Sequence, residues 1–144
     1  MKRITAFLFI SLLFSVLHAS AACSCTRKVQ AVLSMQQQAW NKGDIEGFMA
    51  GYSTGPELRF VSGKKVTSGW QQTLDNYKKA YPGKEAMGTL EFSELQITCA
   101  GAGRAIVSGA WNLSYPETPS AGGRFTLIFR KIKSNWKIVY DHTS

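Results

Sequence analysis

From Val29 onward the apolar residues recur at helical spacing. Val29, Val32, Leu33, Gln36 and Trp40 mark one face of a first helix, which Asn41-Lys42-Gly43 ends. Asp44 is a good N-cap for a second helix. In it Ile45, Phe48, Met49 and Tyr52 fall at i, i+3, i+4 and i+7, a single apolar stripe. A third helix opens at Ser68, with Gln71 three residues on as a capping box. Trp70, Leu74, Tyr77 and Tyr81 line its face, and Pro82-Gly83 stops it.

The rest alternates with a period of two. Leu58-Arg59-Phe60-Val61 and Lys64-Lys65-Val66-Thr67 flank Ser62-Gly63, the pattern of a tight hairpin. Met87 to Cys99 reads as a long strand whose alternation slips near Ser93-Glu94, as a bulge produces. After the turn Ala100 to Gly103, Arg104 to Tyr115 is a second long strand. It carries Ala105, Val107, Gly109, Trp111, Leu113 and Tyr115 on one side. A Pro-, Gly- and Ser-rich loop covers Pro116 to Gly123. Arg124 to Lys133 and Trp136 to His142 follow as strands, joined by Ser134-Asn135. Helices segregated from a long antiparallel sheet predict an α+β domain: three N-terminal helices on a strongly curved mixed or antiparallel sheet. A sheet so curved leaves an interior at its mouth, the default place for a ligand.

The first residues follow neither pattern. Lys2 and Arg3 precede an apolar run from Ile4 to Leu17, and small residues follow at Ala19, Ser20, Ala21 and Ala22. That is the plan of a secretory signal. The apolar run is shorter than the ~20 residues that span a bilayer, so no membrane span is expected. The segment 1–22 is therefore read as a removed signal peptide and 23–144 as one domain. The expected location is periplasmic or secreted. The alternative is a lipoprotein anchored through Cys23, since Ser20-Ala21-Ala22-Cys23 resembles a lipoprotein box with Ser20 where Leu is usual.

Charge and cysteines change the picture only a little. Lys2 and Arg3 leave with the signal and no acid does, so the mature domain carries about +6. Its basic residues are dispersed, and no run approaches a nucleic-acid arm. A partner of that kind is not expected. Export permits disulfides. Cys23, Cys25 and Cys99 make an odd count, so a Cys25–Cys99 pair and free thiols both remain open. The two histidines are His18, inside the signal, and His142. With no Cys/His cluster, neither a metal site nor a cofactor is expected.

Several short motifs then resemble one family. They are Ala39-Trp40-Asn41-Lys42-Gly43-Asp44, Phe60-Val61-Ser62-Gly63, Gly69-Trp70 and Tyr77 through Tyr81-Pro82. Gly88-Thr89-Leu90, Gly109-Ala110-Trp111, Gly123-Arg124-Phe125-Thr126-Leu127 and the run from Trp136 to Ser144 continue the series. In order and spacing they resemble the SnoaL-like branch of the nuclear transport factor 2-like (NTF2-like) superfamily, over Arg27 to Ser144. The resemblance implies a cone-shaped fold and homodimers packed through the outer sheet face. Its members include isomerases, dehydratases, hydrolases and inert binders, so the fold does not settle function.

Six residues are candidates to meet a ligand. His142 is an imidazole on the last strand, where it would be an acid, base or ligand; the bland reading is a local hydrogen bond near the C-terminus. Asp141 precedes it and must point to the opposite face unless the strand bulges. Tyr52 either offers its hydroxyl inward or is core with the hydroxyl satisfied. Arg59 and Arg124 would clamp a carboxylate if they face inward, and are solvated otherwise. Asn112 and Trp111 lie on opposite faces, so one of them enters the interior; Trp70 lines it or packs in the core. In the resembling kinase association domain the last strand holds a His-x-His; Tyr140 stands at the first of these positions, so no role transfers. The tyrosine and two acids of the steroid isomerases and the two histidines of the dehydratases are not visible. The expected function is thus an exported homodimer binding a small, partly apolar or acidic molecule in its cone. The alternative is an isomerase-, dehydratase- or hydrolase-type enzyme with His142 as acid or base.

Overall fold

The computed structural model describes residues 24–101 and 103–144. The expected signal segment 1–22, Cys23 and Ala102 of the expected turn lie outside the described residues. The first helix, α1, is described over 24–41 and buries Val29, Leu33, Gln36 and Trp40. The chain reverses through Gly43 at φ +82°, a value that favours glycine. Asp44 then caps α2, Ile45–Met49, accepting the Gly47 amide at 2.8 Å. The expected stripe runs on to Tyr52, but the helix ends three residues earlier. The last strand takes the backbone there: Ile138 N–H donates to Gly51 O and Ser53 N–H to Ile138 O. Tyr52 therefore sits in a short parallel bridge beside Ile138.

Strands β1, Arg59–Ser62, and β2, Lys65–Ser68, form the expected hairpin one residue later than the pattern places it. Gly63 turns it at φ +55°. Ser68 stays in β2, so the expected capping box does not form. The glycine Gly69 caps α3, Trp70–Ala80, and Gln71 bonds Asp75 along the helix instead. A one-turn helix α4, Lys84–Met87, which the pattern does not announce, takes in Met87, where the alternation starts the first long strand.

The four long strands are β3, Thr89–Cys99, β4, Arg104–Ser114, β5, Ala121–Ile132, and β6, Asn135–Thr143. The six-stranded sheet has the order β2-β1-β6-β5-β4-β3. Every neighbouring pair is antiparallel except β1 with β6. The slip expected near Ser93-Glu94 is a register shift between Ser93 and Gln96, with Glu94 at φ +51°. A second shift sets Phe129 opposite Ile138 but Ile128 opposite Tyr140, leaving Val139 over in β6. Bulges of this kind bend and twist a sheet, and here two of them curve one sheet around its helices. Ala105, Val107 and Leu113 of β4 are buried on the inner side, while Arg104, Ile106 and Asn112 are exposed.

Helix α1 runs antiparallel along the free edge of β3. Asn41 accepts from Leu90 N–H at 2.7 Å and donates to Leu90 O at 3.0 Å; Gln37 accepts from Phe92 N–H at 2.8 Å. These side-chain amides occupy the backbone groups that an edge strand would otherwise present to another chain. At the far end of the same contact Cys25 and Cys99 form a disulfide. The inner face of the sheet and the helices enclose one apolar core, with Phe129, Leu33, Met49, Leu58 and Ile138 among its most buried side chains. Among the described residues no helix is long and apolar enough to cross a membrane.

Candidate ligand cavity in the cone

The core does not fill the cone. A cavity of about 380 Å³ lies between α1, α3 and the inner face of the sheet, within the size range of small-molecule sites. Trp40 comes from α1, Phe48 from α2, Tyr77 from α3, Tyr81 from the cap that follows it, and Phe92, Trp111 and Phe125 from the sheet. Most of these rings meet edge to face, as Trp40 does with Tyr81 at 4.8 Å between centroids and Phe48 with Tyr77 at 5.4 Å. Ser62 and Lys65, exposed residues of the lining, mark where the cavity opens to solvent.

One acid stands in this apolar wall. Asp141 of β6 is buried, and its register partners Phe60 of β1 and Leu127 of β5 line the cavity beside it. The Tyr52 hydroxyl donates to Asp141 Oδ2 at 2.7 Å. Asp141 Oδ1 is buried with no hydrogen-bond partner. Burial pushes the carboxyl up from its ordinary value to about 7, with the Tyr52 bond pulling the other way. The phenols of Tyr52 and Tyr77 are raised well above 10 by burial and by the nearby Asp141 charge, so both stay neutral. An unpaired buried acceptor is costly, and such groups concentrate at functional sites. The arrangement can accept a hydrogen bond from a bound molecule, or hold and release a proton near neutrality.

Of the six residues singled out from the sequence, the structure places Tyr52 in the cavity wall. The other five stand elsewhere. His142 is exposed on the outer face, in register with Val61 and Thr126. Arg59 is exposed and donates to the carbonyls of Pro56 and Leu58. Arg124 is exposed and pairs with Glu94 at 2.8 Å. Asn112 faces outward and Trp111 inward. Trp70 is half-buried, and its indole N–H donates to Met49 O at 2.9 Å.

The bulge at Val139 decides which of Asp141 and His142 enters. Trp136 and Ile138 point inward, and unbroken alternation would carry that face on to Tyr140 and His142. The extra residue flips the parity, so Asp141 and Thr143 face the cavity. A signal for Asp141 existed in the sequence, as an acid flanked by strand residues in the last strand, but the bulge had no local mark. Among the described residues no group of three His, Cys, Asp or Glu side chains is placed to hold a metal ion.

Comparison with known proteins agrees with this architecture. An NTF2-like protein of unknown function from Shewanella oneidensis is 38% identical and superposes with a TM-score of 0.79, covering 83% of this chain and 98% of its own. An NTF2-like protein of unknown function from Pseudomonas putida has 16% identity and a TM-score of 0.70, with 85% and 87% covered. A protein with a cystatin-like fold from Nostoc punctiforme has 11% identity and a TM-score of 0.67, with 82% and 88% covered. These last two share the fold alone. No curated protein matches the chain. The SnoaL-like domain model matches residues 29–144, all of α1 beyond its first turn, the helices that roof the cavity and the whole sheet, and the chain belongs to that family within the NTF2-like superfamily.

Proposed function

We propose that this protein is an exported, homodimeric small-molecule-binding domain whose ligand lies in the cone with its polar end at Asp141. The observation that carries the reading is the free Asp141 Oδ1, buried at the wall of an otherwise apolar cavity. A carboxylate in that position costs stability unless something completes its hydrogen bonding. Export is supported by the signal-like residues 1–22 and by the Cys25–Cys99 disulfide, a bond that persists in oxidising compartments. Dimerisation is supported by the outer sheet face, where exposed Ile106 and Ile128 stand in register with Tyr140 across three strands.

The test is an amide NMR titration with naphthylmethanol, a probe with one apolar body and one hydroxyl. Saturable shifts at Phe92, Leu113 and Asp141 are the expected result. Shifts that grow linearly and spread over the exterior would reject the cavity as a binding site.

A second reading, a small-molecule enzyme, is favoured by one feature. A buried carboxyl that titrates near 7 beside a neutral phenol has the equipment of a general acid or base. In that reading Asp141 takes the role first considered for His142. Loss of a measured turnover in Asp141→Asn, with binding retained, is its signature.

A further inference from the structure

We infer that the cone selects a small organic ammonium compound, its cationic head on the free Asp141 oxygen and its apolar body against the surrounding rings. The inference rests on the cone being a small-molecule site, and adds the charge of the occupant.

Three observations point to a cation. Among the described residues Asp141 is the one acid in the cavity wall, and its Oδ1 is buried without a partner while Oδ2 is held by Tyr52. Oδ1 is thus the carboxylate oxygen left for a ligand to satisfy. A neutral hydroxyl would complete its hydrogen bonding yet leave the charge uncompensated, whereas an ammonium group does both.

The rings nearest this acid add to the same preference. Phe60 is its register neighbour on β1, and Tyr77 lies 5.7 Å from Phe60 between ring centroids. Phe48 lies 5.9 Å from Tyr52 and 5.4 Å from Tyr77. Aromatic faces carry negative quadrupoles and attract cations, more strongly where water is excluded. Phe60 and Tyr52 thus adjoin the carboxylate, with Tyr77 and Phe48 packed against them, aromatic surroundings that suit an alkylammonium head.

The other charged side chain of the wall is Lys65, which is exposed at the opening and so faces water. Tyr52 and Tyr77 stay neutral. Among the described residues no cation inside the cone thus compensates Asp141, and an anionic ligand would meet a like charge. The interior has the opposite sign to the basic exterior, which is why net charge misdirects the choice of ligand.

Binding an ammonium group also favours ionised Asp141. Affinity for the cation should rise as pH passes through about 7, and a proton should leave on binding below that point.

The experiment compares naphthylmethylamine, naphthylmethanol and naphthoate, near-isosteric and of three charges, by calorimetry at pH ~8.5 on the intact protein and on Asp141→Asn. The expected result is about tenfold tighter binding of the amine than of the alcohol, worth ~1.4 kcal/mol, with naphthoate weakest. In Asp141→Asn that preference should fall to about twofold or less. Circular dichroism and a cooperative urea transition confirm that the variant is folded. Equal or tighter binding of the alcohol or naphthoate to the intact protein overturns the ammonium inference but leaves the cavity reading standing. So does an amine preference that survives in the variant. Failure of all three probes overturns both.

Discussion

Replacing Asp141 by asparagine should change the sign of its effect on stability with pH. In the unfolded chain this carboxyl ionises near 4; in the fold, burial raises it to about 7. Below pH ~4 both states are protonated and burial of the group carries no charge penalty. Between about 4 and 7 only the unfolded chain releases its proton, so stability falls as pH rises. Above about 7 both are ionised and the loss is complete. A gap of about three pH units corresponds to ~4 kcal/mol, at 1.36 kcal/mol per unit. Asparagine has no such dependence. Its carbonyl can still accept the Tyr52 hydroxyl, but its amide NH₂ then replaces the free Oδ1, where no protein acceptor waits. That unsatisfied donor costs about 1–3 kcal/mol at every pH. Asp141→Asn should therefore be less stable than the wild type by about 1–3 kcal/mol at pH ~4 and more stable by a similar amount at pH ~8.5. Urea denaturation across that range reads it directly. At a slope of ~2 kcal/mol per molar, the difference in midpoints should swing by about 2 M. A difference that stays flat with pH, or one that swings the other way, would refute a desolvated Asp141.

Tyr52→Phe removes the bond that holds Asp141 down, so the Asp141 carboxyl should titrate above about 7 and stability at pH ~8.5 should drop by about 1.5–3 kcal/mol; a carboxyl-carbon NMR titration that moves lower contradicts the donor role. Reducing the Cys25–Cys99 bond, which closes a loop with a sequence separation of 74, should cost about 4 kcal/mol on the chain-entropy argument. A urea midpoint unmoved by reductant would show that α1 needs no tether. On the outer face, the double change Ile106→Glu and Ile128→Glu should turn the proposed dimer into a folded monomer in sedimentation equilibrium. A dimer that survives both charges places the interface elsewhere.

Much of the architecture was legible along the chain because its causes are local. The stripe from Val29 to Trp40, the Asp44 cap and the alternation from Ala105 to Leu113 each depend on neighbours within a turn or a strand, and each appears in the fold. The slip at Ser93-Glu94 broke an alternation visible in the residues themselves. The site was less legible. Tyr52 could be read as an inward hydroxyl, but its partner could not, because a tyrosine just past a short helix and a strand carboxylate 89 residues apart meet only in the folded chain. Arg59, Trp70, Asn112, Arg124 and His142 carry suitable chemistry and stand outside the cavity wall.

The sequence by itself thus determined most of the element types, the family motifs and the presence of an interior at the mouth of a curved sheet. Tertiary structure alone decided which polar group enters that interior. The reason is parity: side chains on a strand alternate with a period of two, so one extra residue exchanges its faces. Val139 is that residue, held by the pairing of β6 with β5 and not by any propensity of its own. It turns His142 to solvent and buries Asp141 against Tyr52, and with that single displacement it sets the charge of the cone.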